Sequence, residues 1–112
     1  MKHVTIGEKS LLMDDETADT LLEYARLIGD ASAADTVTVN AIGPDGNTIE
    51  VGILLNTSTN LIVESTNTEV VPPDNSAVVR EMRDRIDAIL RPATARPDES
   101  WSDPDYDSTE FV

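Results

Sequence analysis

The chain contains no cysteine in its 112 residues. Disulfide frameworks and thiolate zinc sites are therefore excluded, and the redox compartment is left open. Histidine is almost absent too: His3 is the single imidazole, it falls on an N-terminal strand pattern, and no nucleophile motif surrounds it. Without cysteine, with one histidine and without a glycine-rich phosphate loop, the familiar nucleophilic and nucleotide chemistries lack their parts. Basic residues are scarce, with eight Lys and Arg against 22 Asp and Glu and a net charge of −14. Such a balance opposes unassisted binding to phosphate backbones or anionic membranes, and its natural complement is a cationic protein. No segment approaches the roughly 20 apolar residues of a membrane span. The opening MKHVTIGEKSLLMDD has no apolar stretch of signal-peptide length. The expectation is a cytoplasmic protein without cofactor or metal, touching neither nucleic acid nor membrane directly.

What is present suits one compact domain, which at this length buries roughly 65% of its unfolded surface. KHVTI alternates polar and apolar, GEK supplies a turn, and SLLM returns as the second arm of a short hairpin. Asp14 or Asp15 can cap the helix that follows, with Glu16 and Asp19 in its first turn. Ala18, Leu21, Leu22, Ala25 and Ile28 then recur at helical spacing, and Gly29 is the expected stop.

Strand periodicity takes over next. In TVTVNAIG, Val37, Val39 and Ala41 share one face while Thr36, Thr38 and Asn40 share the other. PDGN turns the chain, and NTIEVGILLN places Ile49, Val51, Ile53 and Leu55 together. Asn56 to Asn60 form another turn, since the glycosylation-like NTS there has no secretory context, and LIVEST is the third strand. These three strands predict an antiparallel meander with an aliphatic face covered by helices. Pro72 and Pro73 announce the second helix, with Asp74, Asn75 or Ser76 as cap candidates. Val78, Val79, Met82, Ile86, Ile89 and Leu90 form its stripe, and Arg80 with Asp84, Glu81 with Arg85, and Arg83 with Asp87 lie four apart outside. The fold expectation is an α+β domain over residues 1–91, a three-stranded meander plus an N-terminal strand or hairpin, with both amphipathic helices packed on one face. Residues 92–112, with Pro92 and Pro97 and few large apolar groups, read as an acidic linker and tail.

Charge and aromatic content are distributed unevenly. Residues 8–74 hold two basic against thirteen acidic groups, and residues 92–112 hold one against six. Three of the four aromatic residues, Trp101, Tyr106 and Phe111, stand in the final WSDPDYDSTEFV. Asp103, Asp105 and Asp107 alternate as calcium-loop ligands do, but Ser108 stands where that loop needs glycine and no twelfth-position glutamate follows. A nucleic-acid mimic, occupying the basic groove of a DNA- or RNA-binding protein, is compatible with the −14 charge. Neither reading accounts for the rings. Aromatics serve as anchors in pockets while surrounding carboxylates steer toward a basic rim. In this the segment is similar, over a few residues, to the acidic C-terminal peptides of bacterial single-stranded-DNA-binding proteins, a resemblance that implies recruitment of other proteins. The bland fate is that Trp101 and Phe111 fold back on their own domain or add an edge strand.

The function expected is thus a non-catalytic acidic adaptor or inhibitor of a basic partner. Trp101, Tyr106 and Phe111 are its anchors, and Asp103, Asp105, Asp107 and Glu110 its steering charges. The open sheet face, with Thr36, Thr38, Asn40, Glu50 and Leu54, is a second candidate surface, and exposed strand edges suit a twofold homodimer. The competing class is a small enzyme using Glu50 and Glu64, expected on the polar face of adjacent strands.

Overall fold

The structure, a computed structural model, describes residues 1–91. The chain runs β1 (Lys2–Ile6), β2 (Lys9–Met13), α1 (Asp15–Asp30), β3 (Asp35–Ile42), β4 (Thr48–Leu55), β5 (Leu61–Ser65) and α2 (Ser76–Leu90). All five strands join one antiparallel sheet in the order β4-β3-β2-β1-β5, so the α+β class and the N-terminal hairpin stand.

The hairpin closes through Gly7, whose φ of 60° suits the first position of a two-residue turn. Gly46, φ 86°, ends the turn in the five-residue β3–β4 loop, its N–H on the Gly43 carbonyl at 3.0 Å, and the Asp45 carboxylate also accepts the Asn47 N–H at 3.1 Å. In α1, Asp14 is the cap: its carboxylate accepts the Thr17 N–H at 3.1 Å and the Thr17 hydroxyl at 2.5 Å. The helix runs past Gly29. Its end is a Schellman turn, with the Ala33 N–H on the Ile28 carbonyl at 3.0 Å and the Ser32 N–H on Gly29 at 3.1 Å. Ser32 therefore occupies the left-handed position, at φ 53°, that glycine usually fills.

The third strand departs from a simple meander. β3 and β4 pair over eight residues, but β5 pairs with β1 at the opposite side of the sheet, Val63 beside Val4. β1 supplies the reason: Val4 is fully buried, and a strand at the centre of a core needs neighbours on both edges. The sheet is also strongly coiled. β2 and β3 are bridged at Leu12 and Ile42 alone, and only Asn56 to Asn60 join Leu55 to Leu61. In a flat sheet those two ends would lie more than 30 Å apart at strand rise and spacing, beyond the roughly 23 Å that six Cα steps can span. The β3–β4 ribbon must bend over the rest.

One core fills the helix-facing side, drawing Val4, Leu11, Met13, Val37, Val39, Ala41, Ile53 and Leu55 from the sheet, Leu21, Tyr24 and Ile28 from α1, and Val79, Met82 and Ile86 from α2. Leu22, Ile89 and Leu90, expected in the helix stripes, are instead 43%, 42% and 57% exposed. Tyr24 and Leu27 take the buried places on α1. α2 packs mainly on α1, and Leu90 of its last turn lies at the rim of the groove between the two helices, where it is only partly covered.

Candidate functional site

β3 outreaches its neighbour. Ile42 faces β2, but residues 35–41 extend past the point where β2 ends and α1 begins, leaving one edge of β3 without a strand partner. What stands there is α2. Asn75, its N-terminal cap residue, makes no capping bond with its side chain. Its carboxamide instead accepts the Asn40 N–H at 2.7 Å and donates to the Asn40 carbonyl at 2.8 Å, as a neighbouring strand would. The Asn40 side chain returns a bond to the Asp74 carbonyl at 3.0 Å.

This bracket fixes the orientation of every backbone group along the edge. Asn40 points its N–H and C=O away from β4, and an antiparallel ladder alternates, so Thr38 and Thr36 point theirs the same way. The Thr36 N–H is taken by the Asp35 carboxylate at 2.8 Å. The Thr36 carbonyl and both backbone groups of Thr38 have no hydrogen-bond partner among the described residues. They face a groove of about 600 Å³ whose other wall is α2, through Ala77, Val78, Arg80, Glu81, Asp84 and Arg85.

The far end of the groove is closed by a polar network. Asp35 accepts the Tyr24 hydroxyl, a short contact, and the Arg85 guanidinium at 2.5 Å, while Arg85 also reaches Glu81 at 2.8 Å. One carboxylate thus ties α1, β3 and α2 together. Donation from Tyr24 holds the Asp35 carboxyl below its ordinary range, with the Thr36 N–H and Arg85 acting in the same direction. Burial, then the hydrogen bond to Asp35, pushes the Tyr24 phenol up. Asn75 at one end and Arg85 at the other set α2 antiparallel to β3: ten helical residues rise about 15 Å, matching about 16 Å for the five strand residues they flank.

The chain matches no protein-family model, no curated protein and no solved structure. Its chemistry is therefore read from its residues alone.

The enzyme alternative loses its geometric premise. Glu50 lies on β4 and Glu64 on β5, the two outer strands of the sheet, not on neighbours. Glu64 is beside His3 on β1 instead, 3.3 Å from its ring. Among the described residues no group of three or more His, Asp or Glu could hold a metal ion, and no helix is long and apolar enough to cross a membrane. The anchors Trp101, Tyr106 and Phe111 and the carboxylates Asp103, Asp105, Asp107 and Glu110 lie outside the described residues. Of the open-face candidates, Thr36, Thr38, Glu50 and Leu54 are exposed where the alternation placed them, whereas Asn40 is committed to the bracket.

Two features were not readable from spacing. The i,i+4 rule anticipated Glu81 with Arg85, which forms, but Arg83 turns from Asp87 to Glu16 on α1 at 2.9 Å. Asn75 looked like an ordinary cap. The signal available was the surplus of capping residues in Asp74-Asn75-Ser76: Asp74 already accepts the Ser76 N–H at 3.2 Å, which frees Asn75 for another role.

Proposed function

We infer that the protein is a non-catalytic acidic binding module that engages a basic protein, with the open sheet face and the carboxylate- and ring-bearing residues 101–111 as contact surfaces. The observation that carries this reading is the contrast between charge and surface. Of the sixteen acidic residues in positions 1–91, only Glu50 and Glu64 project from the strands on the open face, which also presents Thr36, Thr38, Thr48, His3 and the exposed Leu54 and Ile62. Interface centres are depleted in charge, whereas acidic surroundings raise the encounter rate with a cationic partner. A hydroxyl-bearing face with two carboxylates, on a chain of net charge −14, fits that division of labour.

The test is an affinity capture with three proteins: the full chain, a chain ending at Arg91, and the full chain with Leu54→Asp. The reading expects basic proteins bound by the full chain, released as salt rises toward 0.5 M, and weakened by each change separately. Recovery of the same proteins at the same yield by all three would reject it.

A further inference from the structure

We propose that residues 105–112, DYDSTEFV, dock as an added strand in the groove between β3 and α2 of their own chain. The groove offers what edge addition needs. The Thr36 carbonyl, the Thr38 N–H and the Thr38 carbonyl are three consecutive backbone groups on one strand edge, aimed into it and unpartnered among the described residues. Three successive groups are enough to pair a short extended segment in either direction. The opening has defined ends, Asn75 on Asn40 at one and the Asp35 and Arg85 pair at the other.

Reach, charge and backbone chemistry select the occupant. α2 ends at Leu90, five residues or about 7.5 Å of helix rise beyond Arg85 at the groove mouth. The 22 residues that follow could extend roughly 70 Å, so the groove is well within their range. Arg80 lines the groove and forms no ion pair among the described residues. Residues 92–112 carry six acidic groups and one basic group, and Asp105 and Asp107 would meet Arg80 from alternate positions of a strand. The groove between β3 and α2 balances Arg80 and Arg85 against Glu81 and Asp84, whereas the rival groove between the helices sets Asp19, Glu23 and Asp87 against Arg83 alone, which is already paired with Glu16, and so repels such a segment more. Pro92, Pro97 and Pro104 cannot donate to a ladder, whereas 105–112 is the longest proline-free run after α2. This inference concerns the chain's own resting arrangement and stands or falls independently of any basic partner.

Amide hydrogen exchange at Thr38 tests it, measured by NMR on the full chain and on the chain ending at Arg91. Thr38 should exchange about tenfold more slowly in the full chain, the ratio expected when a tether near 1 mM faces a dissociation constant near 0.1 mM. The slowing should not vary with protein concentration. Asp105→Lys with Asp107→Lys, a change outside residues 1–91, should remove most of it. Equal rates in the two chains would overturn the proposal. So would slowing that grows with concentration, which would mean a second copy as occupant, or full slowing retained by the double lysine variant.

Discussion

The Asn75 carboxamide occupies the edge of β3 as a one-residue strand, held to both backbone groups of Asn40 at 2.7 and 2.8 Å. Asn75 is 6% exposed, so these two bonds are made away from competing water. Asn75→Ala should leave the half-buried N–H and carbonyl of Asn40 unsatisfied and destabilise the domain by about 1–2 kcal/mol. Asn75→Asp keeps the acceptor for the Asn40 N–H but sets a carboxylate against the Asn40 carbonyl, and should be at least as harmful at neutral pH. Urea unfolding of both variants checks this. An Asn75→Ala loss below about 0.5 kcal/mol would show that the bracket contributes nothing beyond an ordinary surface residue.

The network around Asp35 makes stability depend on pH at both extremes. The Asp35 carboxyl is held low, so its contribution is present above the ordinary carboxylate value and is lost as pH falls through the depressed one. Tyr24 is the reverse case. Its phenol is held high, so the folded state is favoured below the ordinary value near 10 and loses that advantage as pH rises above it. Tyr24→Phe should flatten the alkaline limb and lower stability at pH 7 by about 1 kcal/mol. Thermal melts from pH 2 to pH 11 would show both limbs in the parent and a weakened alkaline limb in the variant.

Ser32 holds a left-handed backbone at the end of α1, where a side chain costs energy that glycine avoids. Ser32→Gly should therefore stabilise by about 0.5–1 kcal/mol, although glycine is usually destabilising elsewhere. Gly29, inside the helix with open space around its Cβ position, should tolerate alanine and gain from it by a similar amount. Melting temperatures that fall in either variant would contradict the assigned helix end.

Glu50 and Glu64 sit on opposite edge strands, so they share no partner. A double-mutant cycle with Glu50→Gln and Glu64→Gln should give a coupling energy within about 0.5 kcal/mol of zero. A larger coupling would bring the two carboxylates together and revive the acid–base alternative.

Much of this architecture is legible in periodicity, and the places where it is not have physical causes. The alternation of TVTVNAIG and NTIEVGILLN specifies which side of β3 and β4 is buried, because a strand has only two faces. Periodicity says nothing about which strand lies beside which, so the transfer of β5 to β1 had to come from the burial of Val4. Helical stripes mark an apolar direction but not the extent of the surface opposite. Ile89 and Leu90 continue the stripe of α2 yet stay about half exposed, Leu90 at the rim of the groove against α1. The Tyr24, Asp35 and Arg85 network joins residues 50 apart, and no local rule links them. The rings and carboxylates of 101–111 are conspicuous in the sequence and lie outside the described residues.

The central claim is that the domain closes its core within residues 1–91, leaving the last 21 residues available for contacts. Urea unfolding of the chain ending at Arg91, beside the full chain, tests it most directly. The account predicts one cooperative transition in each, with closely similar denaturant slopes and stabilities within about 2 kcal/mol, a margin that includes the roughly 1.4 kcal/mol a docked terminal strand would add. A truncated chain that unfolds gradually, or with a clearly smaller slope, would contradict it, because part of the buried surface would then be supplied by residues 92–112.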